Sequence, residues 1–148
     1  MATLAPESAL RSLLLARHNS SGDLTSSIYP SGDVPETVTL PYGAYTRIST
    51  TRDPVLNAAS GIVSARIQID WRTTSFSYLR TMANAARLAL DGYRGTVTIG
   101  TDTLTILSVR LEDEDDAALV PESGQEKRTL GHRQDWIVWY RESVPTFS

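Results

Sequence analysis

The stretch that decides the fold runs from Gly61 to Leu90 and reads GIVSARIQIDW, then RTTS, then FSYLRTMANAARLAL. Its first part places apolar side chains on alternate positions: Val63, Ala65, Ile67, Ile69 and Trp71. This period of two predicts a β-strand with one buried face. Its last part places apolar side chains at steps of three and four: Phe76, Leu79, Ala83, Ala86 and Leu90. That spacing predicts an amphipathic helix, and together the two elements indicate a layer of helix on a layer of sheet.

The flanking sequence predicts further elements on the same plan. The predicted segments are a helix over Leu4–Arg17, a brief strand at Ile28–Tyr29, and strands at Tyr42–Thr50, Gly95–Gly100, Leu104–Leu111 and Arg133–Glu142. Thr51–Ser60 is predicted to be a projecting loop, and a long polar loop is predicted from Glu112 to about Arg128. The order predicts an α+β fold, with a mostly antiparallel sheet and two helices packed on one face. We expect a single domain over residues 1–148, with a loose tail from about residue 143.

Composition limits the classes of function. The chain has 148 residues, a formal net charge of −3 and no cysteine. Disulfides, thiolate zinc sites and cysteine nucleophiles are therefore excluded. The acidic balance disfavours a protein that binds nucleic acid by neutralising phosphates, although DNA could pass it without specific binding. No signal peptide and no apolar stretch of about 20 residues is present, so the sequence predicts a soluble intracellular protein without a membrane partner.

The acidic run Glu112–Asp116 raises the question of a metal site. A calcium loop that began at Asp113 would need a glycine at its sixth place and a glutamate at its twelfth. Those places hold Ala118 and Gly124. Adjacent carboxylates without ligand spacing are typical of a solvated or contacting face. We therefore predict no metal ligand.

Nothing in the sequence points strongly to catalysis. His18 and His132 are the only histidines, and they are predicted to cap a helix and to lie on the surface, respectively. A triad assembled in space stays open, but no Gly-x-Ser-x-Gly motif supports one. Gly92–Gly95 follows a helix and lacks the lysine of a phosphate loop. We predict no catalytic residue and no cofactor.

Taken in order, the segments resemble the tail-completion, or tail-terminator, family of long-tailed bacteriophages and gene transfer agents. The segments that carry the resemblance are ALRSLLL (9–15), IYP (28–30), LPYGAYTR (40–47), ARIQID (65–70), LALDG (88–92), LEDEDD (111–116), PESG (121–124) and QDWIVWY (134–140). They span nearly the whole chain. The sequence departs from the family pattern at Gln125–Gly131 and in the threonine-rich stretch after Ile48.

The resemblance implies a structural virion protein and no enzyme. Members of this family form rings, usually hexameric, on the head-proximal end of the tail tube. The ring stops tube polymerisation and presents a surface to the head-tail connector. The implied partners are other copies of the chain, the tail-tube protein and the connector or stopper protein, with DNA passing through the lumen. The implied location is the virion tail, and the host cytoplasm during assembly.

A ring requires two different patches that meet head to tail. The polar positions of the opening strand and the two predicted loops are the candidates. The predicted contact residues are Arg52, Asp53, Arg66, Gln68, Asp70, Glu112, Asp113, Glu114, Asp115, Asp116 and Trp139. Two alternatives stay open: another virion part, such as a tail-tube subunit or head-tail adaptor, and a small hydrolase or ligand-binding domain that uses a histidine.

Overall fold

The computed structural model describes residues 3–55, 58–119 and 129–144, with side chains described for all of these except 53–55, 58–60 and 118–119. The elements in chain order are α1 (Pro6–Ser21), β1 (Ile28–Pro30), a 3-10 turn (Ser31–Asp33), β2 (Tyr42–Val55), β3 (Ala58–Thr73), α2 (Phe76–Leu90), β4 (Gly95–Ile99), β5 (Asp102–Leu119) and β6 (Thr129–Arg141). The six strands within these ranges form one sheet in the order β1-β2-β3-β6-β5-β4. Every neighbouring pair is antiparallel except β1 with β2, which confirms the predicted α+β class.

The opening stretch folds as its two periods predict. The five apolar side chains of β3, from Val63 to Trp71, are at most 1% exposed. They face a core that also takes Leu79, Met82 and Leu90 from α2. The prediction is wrong at one position, because Phe76 is 58% exposed. It is the first residue of α2, and its ring stacks against the guanidinium of Arg80 at 4.8 Å instead of entering the core.

Helix ends follow ordinary capping chemistry. The Ser75 hydroxyl accepts a hydrogen bond from the Tyr78 amide at the start of α2, and Gly92 has the positive φ of 81° expected after its end. The helix α1 differs from its prediction, because it begins at Pro6 and continues through the predicted turn to Ser21. It stops where Gly22 adopts a φ of 69° and donates its amide to the His18 carbonyl.

Two predicted loops are instead the outer parts of long hairpins. Thr51 and Arg52 of β2 pair with Ser64 and Val63 of β3, and the ladder continues to Val55. The predicted projecting loop at Thr51–Ser60 is therefore wrong, except for residues 56–57, which lie outside the described residues. Threonines and small residues carry no period of two that would have marked these strands.

The acidic run is likewise part of a strand and not of a loop. Residues 112–119 continue β5, and β6 begins at Thr129, which is four residues earlier than predicted. Pairs such as Asp113 with Asp135 and Ala117 with Gly131 extend the ladder. Charged residues occupy both faces here, so no apolar alternation marks the strand. The predicted turn at Pro121–Gly124, the start of the Gln125–Gly131 stretch and tail residues 145–148 lie outside the described residues.

The core lies between one face of the sheet and the two helices. β6 lies beside β3 in the middle of the sheet. Trp136, Val138 and Tyr140 of β6 are at most 3% exposed and join the same cluster as α1 and α2. The other face of the sheet is thereby left for contacts outside the core.

Candidate interaction surface

The face of β3, β6 and β5 that points away from the helices presents its side chains to solvent, and we call it the open face. Its residues are Ser64, Arg66, Gln68, Asp70 and Arg72 of β3, Arg133, Asp135, Ile137, Trp139 and Arg141 of β6, and Ser108, Arg110, Asp113 and Asp115 of β5. They fall on one face because the β-ladder pairs them and side chains alternate along each strand. Of the predicted contact residues, the structure brings together Arg66, Gln68, Asp70, Asp113, Asp115 and Trp139 here.

An exposed tryptophan surrounded by arginines marks one end of the open face. Trp139 is 40% exposed although it lies on a central strand. Arg66 and Arg110 flank Ile137 directly across the ladder, one step from Trp139, and Arg141 follows two positions later on β6. We call this group of five residues the basic half: Arg66, Arg110, Ile137, Trp139 and Arg141. Tryptophan and arginine are the residue types that contribute most energy at protein interfaces.

The other end of the open face is acidic. We call Asp70, Asp113, Asp115 and Asp135 the acidic half, since they occupy the next two rows of the ladder. Arg133 lies among them and donates a hydrogen bond from Nε to Asp70 at 3.1 Å, which raises the pKa of Arg133. The open face is therefore divided by charge along the strand direction.

Several cations on this face lack a partner among the residues that the structure describes. Arg110 forms an ion pair with Glu112 at 2.8 Å, which places the predicted residue Glu112 beside the basic half. Within the described ranges, Arg66, Arg72 and Arg141 make no hydrogen bond or ion pair with another residue. These three arginines are therefore candidates for contact with another molecule.

Four predicted contact residues lie elsewhere, and two of them, Arg52 and Asp53, belong to the outer part of β2. Arg52 pairs with Val63, on the core side of the ladder, and forms an ion pair with Glu142 at the end of the sheet. Hydrogen bonding to Glu142 raises the pKa of Arg52. The backbone of Asp53 belongs to β2, and its side chain lies outside the described residues.

Glu114 and Asp116 point to the helix side of the sheet, so the acidic run is divided between two faces. Both reach His132, which is 4% exposed, so its predicted surface position is wrong. His132 Nδ1 lies 2.6 Å from Asp116, and Nε2 lies 3.1 Å from Glu114. Asp116 also pairs with Arg80 of α2. We call these four residues the His132 cluster.

The cluster is connected to the core by a buried amide. Gln134 is fully buried, and its Nε2 donates to Glu114 at 2.9 Å and to the Ala83 carbonyl of α2 at 3.1 Å. Its Oε1 accepts the indole N–H of Trp71 at 2.9 Å. Sheet and helix are thus joined by hydrogen bonds as well as by apolar packing.

These contacts set the ionisation of the two carboxyl groups. The hydrogen bond from His132 and the guanidinium of Arg80 lower the pKa of Asp116, although partial burial acts against them. For Glu114, burial raises the pKa, but hydrogen bonds from Gln134 and His132 outweigh it, and the net pKa is lowered. Both groups are therefore ionised at neutral pH.

The surroundings of the two histidines favour structural roles. Two small clefts flank His132, with volumes of about 130 and 190 Å³. Both of its ring nitrogens already contact carboxylates, so neither is free to act on a substrate. His18 Nδ1 lies 2.6 Å from the Leu24 carbonyl near the end of α1. Within the described ranges, no group of three His, Asp or Glu side chains could hold a metal ion, and no helix is long and apolar enough to cross a membrane.

Sequence reasoning missed part of the open face. Arg72, Arg110, Arg133, Asp135 and Arg141 were not predicted as contact residues. The alternation of β6 carried the necessary signal, because Arg133, Asp135, Ile137, Trp139 and Arg141 occupy every second position. The sequence did not show that Glu114 and Asp116 lie on the helix side of the sheet, because the acidic run was predicted to be a loop.

Comparisons with known proteins give a likeness of fold. No protein-family model and no curated protein sequence matches the chain. Among solved structures, it is similar to a chain of the virion of a native gene transfer agent particle, with a TM-score of 0.63. The likeness covers 94% of this chain and 99% of that chain, at 12% sequence identity. At that identity it shows a shared fold.

Proposed function

We propose that this chain is a structural virion protein that forms a ring on the head-proximal end of a tail tube, with six copies as the family resemblance implies. The ring terminates tube polymerisation and joins the tail to the head connector, with no catalytic activity. One observation carries the proposal: the fold is shared, over almost the full length of both chains, with a component of a gene transfer agent virion. The sequence segments that resemble the tail-terminator family support the finer role.

The open face supplies part of an interface of ordinary size. On β3 it runs from Ser64 to Arg72, and nine residues at ~3.3 Å each give a length of about 30 Å. Three strands spaced by ~4.8 Å make the face about 14 Å wide, and the product is about 400 Å². A stable interface takes about 800 Å² from each partner, so one contact would need the open face together with a further surface such as a hairpin end.

The division of charge suggests which partners the face accepts. The basic half, with Trp139 at its centre, fits an acidic surface of a neighbouring copy, of the tail-tube protein or of the connector protein. The acidic half fits arginines and disfavours adhesion of DNA passing through the lumen. Ring closure needs a second, different patch, for which the Arg52 end of the β2–β3 hairpin is the candidate.

The ring role is tested with purified protein, alone and with tail tubes. We expect six-fold rings in negative-stain images, either alone or at one end of each tube, and tubes that stop growing when the protein is added. A chain that polymerises into long tubes by itself would instead be a tail-tube subunit. A chain that binds only the head connector would be an adaptor. A protein that binds neither tubes nor connector would contradict the proposal.

Arg66 gives the sharpest test of the open face. Arg66→Glu reverses a charge that has no partner in the described part of the chain, so we expect ring assembly to weaken more than the fold. Arg94→Glu is the matched control, since Arg94 is also exposed and unpaired within those residues but follows α2. Ring formation and thermal unfolding are measured on both variants. Equal ring formation by the two would refute the role of the open face.

The acidic run is tested by separating its two faces. Asp113→Ser with Asp115→Ser changes only the open face, and we expect it to impair ring assembly or tail joining while the midpoint of unfolding is kept. Glu114→Ser with Asp116→Ser removes the partners of His132, and we expect it to lower stability. Normal rings and infectious particles from the first double variant would show that its carboxylates are merely solvated.

A further inference from the structure

The His132 cluster joins the outer half of the β5–β6 hairpin to α2. His132 belongs to β6, Glu114 and Asp116 belong to β5, and Arg80 reaches Asp116 from α2. The imidazole is 4% exposed, whereas the two carboxylates are about 40% exposed. The histidine is therefore the buried centre of a contact whose outer members meet solvent.

The protons in this cluster can be counted from its contacts. An ionised carboxylate only accepts hydrogen bonds, and a neutral imidazole donates from one nitrogen only. Here both ring nitrogens face carboxylate oxygens, at 2.6 Å and 3.1 Å. In a neutral ring, the unprotonated nitrogen would place its lone pair next to one of those oxygens, and two acceptors would repel each other. A doubly protonated ring donates to both, and the contacts are then charge-assisted hydrogen bonds.

We propose that His132 acts as a proton-dependent clamp, whose doubly protonated ring holds the outer half of the β5–β6 hairpin against α2 and whose deprotonation releases it. The released segments are residues 112–119 and 129–134. This inference rests on contacts within one chain and is independent of the proposed function.

Charged groups face the ring from every element packed around it. Glu114 and Asp116 come from β5, Arg80 and Arg87 come from α2, and Asp70, Arg72, Asp115 and Arg133 line the cleft on the other side. Arg80 is already paired with Asp116 and Arg133 with Asp70. The two carboxylates in direct contact are the charges nearest to the ring.

The clamp has a defined pH window. The clamp stops stabilising the hairpin as pH rises and the ring loses its second proton. One ring nitrogen then carries a lone pair that faces a carboxylate oxygen, so the hydrogen bond at that nitrogen is lost. The stabilisation is also lost at acid pH. The pKa of Asp116 is lowered from 3.8, chiefly by the hydrogen bond from His132, so its contribution is present above about pH 4 and disappears as pH falls through the native value. The hairpin is held between these limits.

The chain offers a clean measurement, because it has only two histidines. Long-range proton–nitrogen NMR follows the protonation of each ring, and hydrogen exchange follows the amides of residues 112–119 and 129–134. After correction for the intrinsic pH dependence of exchange, we expect protection of these amides to fall about tenfold at the pH at which the His132 ring deprotonates. That factor corresponds to the loss of one charge-assisted hydrogen bond.

Variants decide whether His132 is responsible. His132→Gln should abolish the pH step in exchange, and His18→Gln should keep it. If His132→Gln does not fold, Asp116→Asn should move both the ring deprotonation and the loss of protection to lower pH. A step that persists in His132→Gln, a step that does not coincide with ring deprotonation, or no movement in Asp116→Asn would overturn the proposal.

Discussion

Gln134 is the polar residue on which the core should depend most. It is fully buried on β6, and it joins Trp71 of β3, Ala83 of α2 and Glu114 of β5 through three hydrogen bonds. Gln134→Ala removes all three at once. It leaves the indole N–H of Trp71 without a partner in a site that is itself 0% exposed.

The magnitude follows from these contacts. A buried donor left without a partner costs about 1–3 kcal/mol, and each of the two remaining hydrogen bonds contributes about 1 kcal/mol. The free energy of unfolding should therefore fall by about 4 kcal/mol. For a chain of this length, 1 kcal/mol corresponds to about 2–4 °C, so the midpoint of thermal unfolding should fall by about 8–16 °C.

Chemical and thermal unfolding, followed by circular dichroism, measure this loss. Gln68→Ala is the matched control, because it makes the same substitution on β3 at a half-buried site of the open face. Gln68 has no hydrogen-bond partner in the part of the chain that the structure describes. We expect the control to change the free energy of unfolding by less than about 1 kcal/mol. Equal losses in the two variants would refute the network around Gln134.

Two further predictions concern single sites. Gly43→Ala should lower the free energy of unfolding by about 2 kcal/mol, because an added Cβ would lie 2.5 Å from a ring carbon of the buried Trp71. Gly32→Ala, which meets nothing within 4 Å, is the control in the same denaturation assay, and equal stability of the two proteins would contradict the prediction. The Arg17 guanidinium lowers the pKa of Asp23 to about 2, so wild-type stability should decline as pH falls from about 4 towards 2. Asp23→Asn should flatten that decline, and an unchanged pH profile would count against the ion pair.

The spacing of apolar residues was sufficient to predict a strand or a helix wherever one side of that element is buried in the core. The alternation from Val63 to Trp71 predicted β3, and the three-and-four spacing from Phe76 to Leu90 predicted α2, although Phe76 itself is exposed. The strand predicted at Arg133–Glu142 corresponds to most of β6. Each of these features is a property of residues close in sequence, so it can be read without knowledge of the partner strand.

The hairpin extensions could not be predicted in the same way. Strand residues at Thr51–Val55 and at Glu112–Leu119 carry no apolar alternation, and they are extended because a neighbouring strand supplies their backbone hydrogen bonds. For the same reason, the sequence presented the acidic run as one cluster. Pairing with β6 turns Asp113 and Asp115 to the open face and Glu114 and Asp116 towards His132.

By itself, the sequence determined the fold class, the strand and helix at its centre and the apolar face between them, because burial imposes a local period. The tertiary structure decided how the polar residues are grouped, since that depends on which strands pair and in which register. It separated the open face, with its basic and acidic halves, from the His132 cluster. The stretch from Gly61 to Leu90 illustrates both: its apolar positions marked the core from sequence, whereas the surroundings of Arg66, Gln68 and Asp70 were set by β6 and β5 beside them.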